Sequence, residues 1–241
     1  MIGTRQDMHV HSTFSDGRDT IEANVAEAER LGLRELTCVD HVRAATDWVG
    51  EYVAAVRAVD NDTPVQLRCA VEAKLLDTAG DLDLPPGLSG IDAIYAADHQ
   101  VPLSDGPHSP REVKGLIADG VLSGAEVVQA IIASTSAALQ RHSPVVIAHL
   151  FSVLPKLNLD EREVPLALLE DLAEVAADRD ARIEISERWR CPNARTLRPF
   201  LRRGVPVLLS TDSHRSDTIG RYSYCTAVRA ELTDAGSPVA S

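Results

Sequence analysis

The 241-residue chain is poor in aromatic side chains, at 4%, and its four cysteines are far apart. The absence of a Cys-x-x-Cys pair excludes zinc-ribbon and thioredoxin-type motifs. No apolar run reaches the roughly 18 residues that span a bilayer, so no membrane association is expected. The first residues, MIGTRQDMHVHS, lack the pattern of a signal peptide. We therefore expect a cytoplasmic protein with reduced thiols.

Positive charge is also scarce. The sequence has 24 Lys and Arg against 36 Asp and Glu, which gives a formal net charge of −12. Such a surface repels phosphate backbones, so long nucleic acid is not an expected partner. The composition is otherwise that of a globular protein, with 44% hydrophobic residues. It does not indicate an oligomeric state.

Short apolar runs alternate with helical patterns along the chain, which is typical of βαβ units and a parallel sheet. Strands are predicted at Asp7–His11, Glu35–Asp40, Gln66–Glu72, Ile91–Ala96, Val145–Leu150, Ala181–Ser186 and Val205–Ser210. Helices are predicted at Thr20–Leu31, Asp47–Val59, Gly124–Arg141, Glu161–Ala177 and Asn193–Arg203. Seven such repeats and a C-terminal helix favour an α/β barrel. An open doubly wound sheet is the alternative, but no GxGxxG follows the first strand.

No linker or shift in composition divides the chain, so we predict a single domain over residues 1–241, with a core of about 5–233. The segment 100–123 is rich in Pro, Gly, Ser and Asp, and we expect it to be a loop over the site. The tail 234–241 is expected to be disordered.

The eight histidines are the most informative feature of the sequence. In the first strand, Asp7, His9 and His11 alternate onto one face, where two imidazoles can chelate a cation. Taken alone, a His-x-His pair is equally typical of hydrogen-bonded core histidines. The pattern recurs, however, at or just after the ends of other predicted strands, in Asp40-His41, Glu72, Asp98-His99, His149 and Asp212-Ser213-His214.

The carboxyl ends of parallel strands are where sites are built in barrels and open α/β sheets. Imidazoles and carboxylates without thiolates suit Zn, Mn or Fe rather than Ca or Mg. These side chains exceed the four ligands of one tetrahedral site, so two or three divalent transition metal ions are expected.

In this order the motifs resemble the PHP (polymerase and histidinol phosphatase) family. The resemblance rests on Asp7-x-His9-x-His11-Ser12, Ser15-Asp16-Gly17 and the five motifs given above, and it extends to His214. It implies a distorted (β/α)7 TIM-like barrel, the PHP fold. It also implies a trinuclear metal centre that hydrolyses phosphoesters through a metal-bridging hydroxide.

The resemblance further implies three groups of metal ligands. His9, His11, Glu72 and Asp212 would hold the first ion. Glu72 would bridge to the second, which His99 and His149 complete, and Asp16, His41 and His214 would hold the third. Asp40 would orient a neighbouring imidazole, and Asp7 would either do the same or cap its strand. No general acid is identified.

Two departures from the family pattern leave these ligands intact. Ala70 stands where many members have Gly, and Ala97-Asp98 stands where the histidinol phosphatase branch has Gly-Ser. They put histidinol phosphate itself in doubt as the substrate. Glu184, inside the sixth predicted strand, fits either an outer carboxylate beside the metals or a structural residue at the surface.

Arginine is suited to phosphate because its planar guanidinium matches phosphate oxygens. Arg188 and Arg190 follow the sixth predicted strand, and Arg215 follows His214. We expect at least one of the three to bind substrate phosphate, although each alone could be a solvated surface residue.

The sequence thus predicts a metal-dependent phosphatase that acts on a small-molecule phosphomonoester. A phosphodiesterase or 3′–5′ exonuclease is the alternative enzyme, and the acidic composition disfavours it. A catalytically silent metal-binding scaffold is the alternative from another class. Its signature would be the loss of ligands, whereas all nine expected positions carry competent side chains.

Overall fold

The computed structural model describes residues 5–234. Seven parallel strands, in the order β1-β2-β3-β4-β7-β8-β9, form a nearly closed barrel that alternates with helices, and a two-stranded hairpin, β5-β6, lies apart from it. The predicted (β/α)7 TIM-like barrel is therefore confirmed. The strands are β1 (Gln6–Val10), β2 (Glu35–His41), β3 (Gln66–Lys74), β4 (Ala93–Ala97), β5 (Val101–Leu103), β6 (Gly106–His108), β7 (Val145–Ala148), β8 (Arg182–Ser186) and β9 (Val207–Ser210). The helices are α1 (Ile21–Arg30), α2 (Val49–Asp60), α3 (Pro110–Ala118), α4 (Gly124–Arg141), α5 (Leu166–Asp178), α6 (Ala194–Arg202) and α7 (Tyr224–Asp234).

The helices begin where the sequence supplies caps. The Thr20 side chain accepts a hydrogen bond from the Ala23 amide at the start of α1, and Ser123 forms a capping box with Glu126 at the start of α4. One predicted helix, Glu161–Ala177, was wrong at its start. A short 3-10 turn occupies Glu161–Glu163, and α5 begins only after Pro165, because proline cannot donate the amide hydrogen that a helix interior needs.

The barrel closes between its first and last strands. The amide of His11 donates to the carbonyl of Ser213 over 2.8 Å, and Val10 pairs with Ser213 in a parallel bridge. Asp7 reinforces the closure, because its buried carboxylate accepts hydrogen bonds from the Thr211 amide and hydroxyl and from the Gly220 amide. The chain that follows β9 is thereby held against β1.

Two apolar clusters pack on opposite faces of the strands. The larger joins the outer strand faces to the helices. The smaller fills the barrel interior and consists only of strand residues: Met8, Val39, Ala70, Ala93, Tyr95, Ala97, Val146, Ala148 and Leu208. Along the inner face of β3, buried Ala70 is followed by Glu72 and then by Lys74. The interior thus changes from apolar to polar toward the carboxyl ends of the strands.

The segment 100–123 is not the irregular loop that its composition suggested. It contains β5, β6 and α3, and α3 begins with a capping box between Ser109 and Glu112 and with Pro110 in its first turn. The same Ser and Pro residues that suggested a loop are thus a helix start. Of the expected tail, Asp234 ends α7, and 235–241 lie outside the described residues. None of the helices described is both long enough and apolar enough to cross a membrane.

Candidate metal centre

All nine predicted ligand residues lie at the carboxyl end of the barrel. Six of them line a single open cavity of about 630 Å³: Asp16, His41, Glu72, His99, Asp212 and His214. The remaining three, His9, His11 and His149, are buried beneath it with at most 1% of their surface exposed. The structure thus brings together residues from the ends of six different strands.

Glu72 is at the centre of the cluster, and its two oxygens face different imidazoles. Oε1 lies 2.9 Å from His149 Nε2 and 3.1 Å from His99 Nε2. Oε2 lies 2.9 Å from His41 Nδ1 and 3.4 Å from His9 Nε2. Each oxygen thus has its own pair of imidazoles, so the carboxylate lies between two groups of possible metal ligands.

On one side of Glu72, His9, His11 and Asp212 form a compact buried group of possible ligands. His11 Nε2 lies 3.1 Å from Asp212 Oδ1 and 3.6 Å from Glu72 Oε2. Ligands at about 2.0–2.1 Å from a tetrahedral zinc ion are about 3.4 Å apart, so these spacings match a shared cation.

A more exposed group surrounds Asp16. Its Oδ1 lies 3.2 Å from His214 Nε2 and 3.6 Å from His41 Nε2. Asp16 is carried on the turn Ser12–Gly17, which Asp40 holds in place by accepting hydrogen bonds from the Ser12 and Ser15 hydroxyls. Gly17 is required in this turn, because a Cβ atom there would lie 2.6 Å from the backbone carbon of His11.

The pKa values show how strongly these groups interact. Burial alone would raise the pKa of Glu72, but the surrounding imidazoles lower it well below its usual range. Burial lowers the pKa of His11 to about 4. Against the effect of burial, Asp98 and Glu72 raise the pKa of His149 to about 10. Similarly, Glu184 and Glu72 overcome burial and raise the pKa of His9 well above its ordinary value.

Several buried polar atoms of the cluster lie close to one another but have no partner in hydrogen-bonding geometry: His9 Nε2, His11 Nδ1 and Nε2, Glu72 Oε2, His149 Nδ1 and Asp212 Oδ1. Such atoms are rare in folded proteins because an unsatisfied buried polar group is costly. Imidazole nitrogens and carboxylate oxygens are also the donors that divalent transition metals prefer. The residues present therefore fit a metal centre.

Two of the candidate ligands have an unusual backbone at the points where their strands end. His149, after β7, has φ of 25°, and Asp212, after β9, has φ of 51°. The left-handed region is uncommon for side chains other than glycine, and such residues concentrate at functional sites. The hydrogen bond from the Trp189 indole to Asp212 Oδ2 also holds the Asp212 side chain in place.

The carboxylates around the ligands differ from expectation. Neither Asp7 nor Asp40 contacts an imidazole: Asp7 holds the chain after β9, and Asp40 holds the turn with Asp16. The orienting role belongs instead to Glu184, which is fully buried on β8. Its Oε2 lies 3.0 Å from His9 Nδ1, and its Oε1 accepts a hydrogen bond from the His149 amide over 2.8 Å.

The three predicted arginines lie in different surroundings. Arg188 lines the cavity, and its Nη1 lies 2.7 Å from His214 Nδ1. Arg190 stacks over Tyr224, away from the cavity, and therefore cannot reach a ligand there without moving. Arg215 pairs with Asp217 and lines a smaller neighbouring cavity, which also touches Asp212 and His214.

Some residues of the site had weak signals or none in the sequence. For Glu184, the available signal was a carboxylate between two isoleucines in the strand Arg182–Ser186. Lys156 had none, because it lies in an ordinary 3-10 turn after β7; its ammonium is 4.2 Å from the centre of the Trp189 ring. Lys74, which lines the same cavity, follows Glu72 by two residues and so shares its strand face.

The fold and the cluster together define a class of protein, a seven-stranded (β/α) barrel with a histidine–carboxylate centre at its carboxyl end. The PHP domain family matches residues 7–188, which is more than half of the chain. The protein belongs to the PHP family.

One solved structure supports this fold, and a second is more distantly similar. A provisionally assigned histidinol phosphatase, hisK of Listeria monocytogenes, superimposes with a TM-score of 0.68 at 13% sequence identity, over 92% of this chain and 99% of that one. A provisionally assigned metal-dependent phosphoesterase of Bifidobacterium adolescentis has a TM-score of 0.45 at 17% identity, over 93% and 95% of the two chains. No curated protein sequence matches the chain.

Proposed function

We propose that the protein is a metal-dependent phosphoesterase that hydrolyses a small-molecule phosphomonoester at a centre of two or three divalent ions. The observation that carries this proposal is Glu72, whose two oxygens face separate groups of imidazoles deep in the cavity. Membership of the PHP family and the likeness to a provisionally assigned histidinol phosphatase support it.

The ligand groups suggest how the ions would be held. His9, His11 and Asp212 would hold one ion, His99 and His149 a second, and Glu72 would contact both. Asp16, His41 and His214 would hold a third, more exposed ion. Divalent ions in such a centre supply positive charge for the phosphoryl oxygens and lower the pKa of a coordinated water toward 7.

The protein's own side chains have defined tasks in this reaction. Arg188 projects into the cavity beside His214 and would bind phosphoryl oxygens through its guanidinium. Lys156 adds a second positive charge next to Trp189. Trp189 and Glu184 keep Asp212 and His9 oriented through the hydrogen bonds described above.

Hydrolysis of p-nitrophenyl phosphate with added Mn²⁺ or Zn²⁺ tests the proposal, with bound metal measured by mass spectrometry. We expect turnover of this monoester to exceed that of bis(p-nitrophenyl) phosphate. Faster turnover of the diester would favour a phosphodiesterase. Absence of turnover of either ester in protein that contains metal would identify a scaffold.

Replacement of the central carboxylate is the sharpest test of the centre. Glu72→Gln keeps the shape of the side chain but removes the charge shared between the imidazole groups. We expect kcat/KM to fall by at least about 100-fold, together with a loss of bound metal. Glu51→Gln, on the exposed face of α2, is the control. Wild-type activity and metal content in Glu72→Gln would refute the assignment.

A further inference from the structure

Positive side chains are concentrated around the cavity although the protein as a whole is acidic. Apart from the candidate metal ligands, the walls carry four basic residues and one carboxylate: Arg43, Lys74, Lys156, Arg188 and Asp83. The whole chain has only three lysines, and two of them line this cavity. Outside the candidate metal ligands, the charge of the walls is therefore opposite in sign to the net charge of −12.

The four basic residues form two pairs on different walls. Lys156 and Arg188 follow β7 and β8 and flank Trp189. Arg43 follows β2, and Lys74 ends β3. In the barrel, β4 separates β3 from β7, and His99, which follows β4, lies between the two walls. Lys156 and Arg188 are therefore available to bind the phosphoryl group beside His214. Arg43 and Lys74 are left to bind a different group.

The wall that contains Arg43 and Lys74 is held together by Asp83. Its Oδ1 accepts a hydrogen bond from the Ala44 amide over 2.8 Å, and its Oδ2 lies 3.9 Å from the Lys74 ammonium. The Arg43 amide also donates to the Thr46 hydroxyl over 2.9 Å. The backbone after β2 is thus fixed beside the end of β3, which keeps the two basic residues on the same side of the cavity.

We propose that the substrate carries a second anionic group, a carboxylate or a second phosphate, which Arg43 and Lys74 bind while the scissile phosphate is bound beside Arg188. The proposal rests on the proposed phosphoesterase function. Ions held by the candidate ligands, together with Arg188 and Lys156, would be sufficient to bind a single phosphoryl group. The second basic pair would therefore have no role with a substrate that has only one anionic group. Charged walls of this kind select ligands by electrostatic complementarity.

The test uses matched compounds that differ only at the end remote from the phosphorus. Alkyl phosphonates of increasing chain length, ending in a carboxylate, a phosphonate or a neutral carboxamide, are not hydrolysed and report binding to metal-loaded protein through tryptophan fluorescence or calorimetry. The corresponding phosphate esters report kcat/KM. Comparison of the carboxylate and phosphonate series identifies which anion is preferred.

We expect an anionic end to improve both affinity and kcat/KM over the carboxamide, by about fivefold or more at the best chain length. The ratio between the values for the anionic compound and for the carboxamide should fall toward one in Arg43→Gln and in Lys74→Gln. It should stay at the wild-type value in Lys114→Gln, which replaces the exposed lysine of α3 outside the cavity. Lower discrimination at high salt would support the same conclusion.

The proposal fails if wild-type protein binds carboxylate and carboxamide equally at every chain length. It also fails if the ratio survives in both variants, or if an ammonium end, attracted to Asp83, binds best. Binding tests the anion site, whereas turnover tests the phosphoesterase function. Discrimination in binding without hydrolysis of any ester would support the anion site while refuting the phosphoesterase function.

Discussion

Glu184 is a buried carboxylate that connects three strands at the metal centre. It lies on β8, and its oxygens contact the ring of His9, from β1, and the amide of His149, after β7. A carboxylate bonded to the far nitrogen of an imidazole fixes the ring and its tautomer, so that the other nitrogen is presented to a metal. His9 Nε2, which faces Glu72, is the nitrogen presented in this way.

Glu184→Gln should therefore weaken metal binding by about 10- to 100-fold while the protein stays folded. Competition with a fluorescent chelator measures this change, and circular dichroism checks the fold. Glu163→Gln, at an exposed position after β7, is the matched control. An unaltered metal affinity in Glu184→Gln would mean that His9 is oriented by its packing alone.

The sequence was informative about individual residues where chemistry and periodicity coincided. His9 and His11 alternate on a strand, and His41 and His99 each follow an apolar run after a single aspartate. Their convergence at one edge therefore followed from the fold class. Residues such as Lys156 and Asp83 come from connecting segments without periodicity, and only tertiary structure determines where they lie. Asp7 and Asp40 lie on strands, but their contacts were unpredictable because their partners, Thr211, Ser12 and Ser15, lie in such connecting segments.

At the scale of elements, the turn Ser12–Gly17 is the clearest case of a local structure built for the site. The Gly17 amide donates to the Ser12 carbonyl over 2.9 Å, and the turn packs against the end of β1. A Cβ at Gly17 would come within 2.7 Å of the Ser12 nitrogen. Backbone atoms cannot yield to it as a flexible side chain would, so the turn itself would have to move.

Gly17→Ala should displace Asp16 and remove the most exposed ion while leaving the buried groups around His9 and His149 intact. We expect metal stoichiometry measured by mass spectrometry to fall by one equivalent, with a large loss of activity. In Gly115→Ala, on α3, the added Cβ meets nothing within 4 Å, and the exchange should instead stabilise the protein by roughly 0.5–1 kcal/mol. Full stoichiometry in Gly17→Ala would contradict the assignment of Asp16.

The strands and most helices could be predicted because apolar periodicity and caps act locally. The prediction failed for 100–123, where Ser109 and Pro110 start α3 but were interpreted as loop residues. Serine and proline are common both in loops and at helix starts. The choice between these structures is made by packing, since Val113 of α3 is fully buried.

At the scale of the whole molecule, closure of the barrel depends on Asp7. Asp7→Ala would leave the Thr211 amide and hydroxyl and the Gly220 amide without their acceptor. We expect the free energy of unfolding to fall by about 3 kcal/mol, measured by urea denaturation. Asp119→Ala, at an exposed position after α3, should change it by less than about 0.5 kcal/mol. Equal stability of the two variants would show that closure does not depend on the carboxylate.

Glu161 makes the stability of the molecule depend on pH. Burial raises its pKa from 4.5 to about 7, while its Oε1 accepts a hydrogen bond from the Asn193 amide at the start of α6. Because the folded state binds the proton more tightly, this contribution to stability is complete below pH 4.5 and is lost as the pH rises through about 7.

The glutamine side chain in Glu161→Gln is neutral between pH 4.5 and 7, so this variant should not lose stability at this position as the pH rises. Relative to wild type, its free energy of unfolding should therefore increase as the pH rises from 4.5 to 7. Urea denaturation of both proteins at a series of pH values measures the difference, in which the titration of groups that do not interact with Glu161 cancels. A difference that is constant with pH would contradict the raised pKa.

The order of the candidate ligands along the chain determines when the candidate metal centre can form during synthesis. His9 and His11 leave the ribosome some two hundred residues before Asp212, which lies beside His11 in the folded protein. During synthesis the early histidines are free imidazoles without their buried partners. The proposed ligand assignment therefore implies that stable metal uptake follows the pairing of β1 with the segment after β9. A chain that stops before Asp212 would lack one member of the innermost group of candidate ligands.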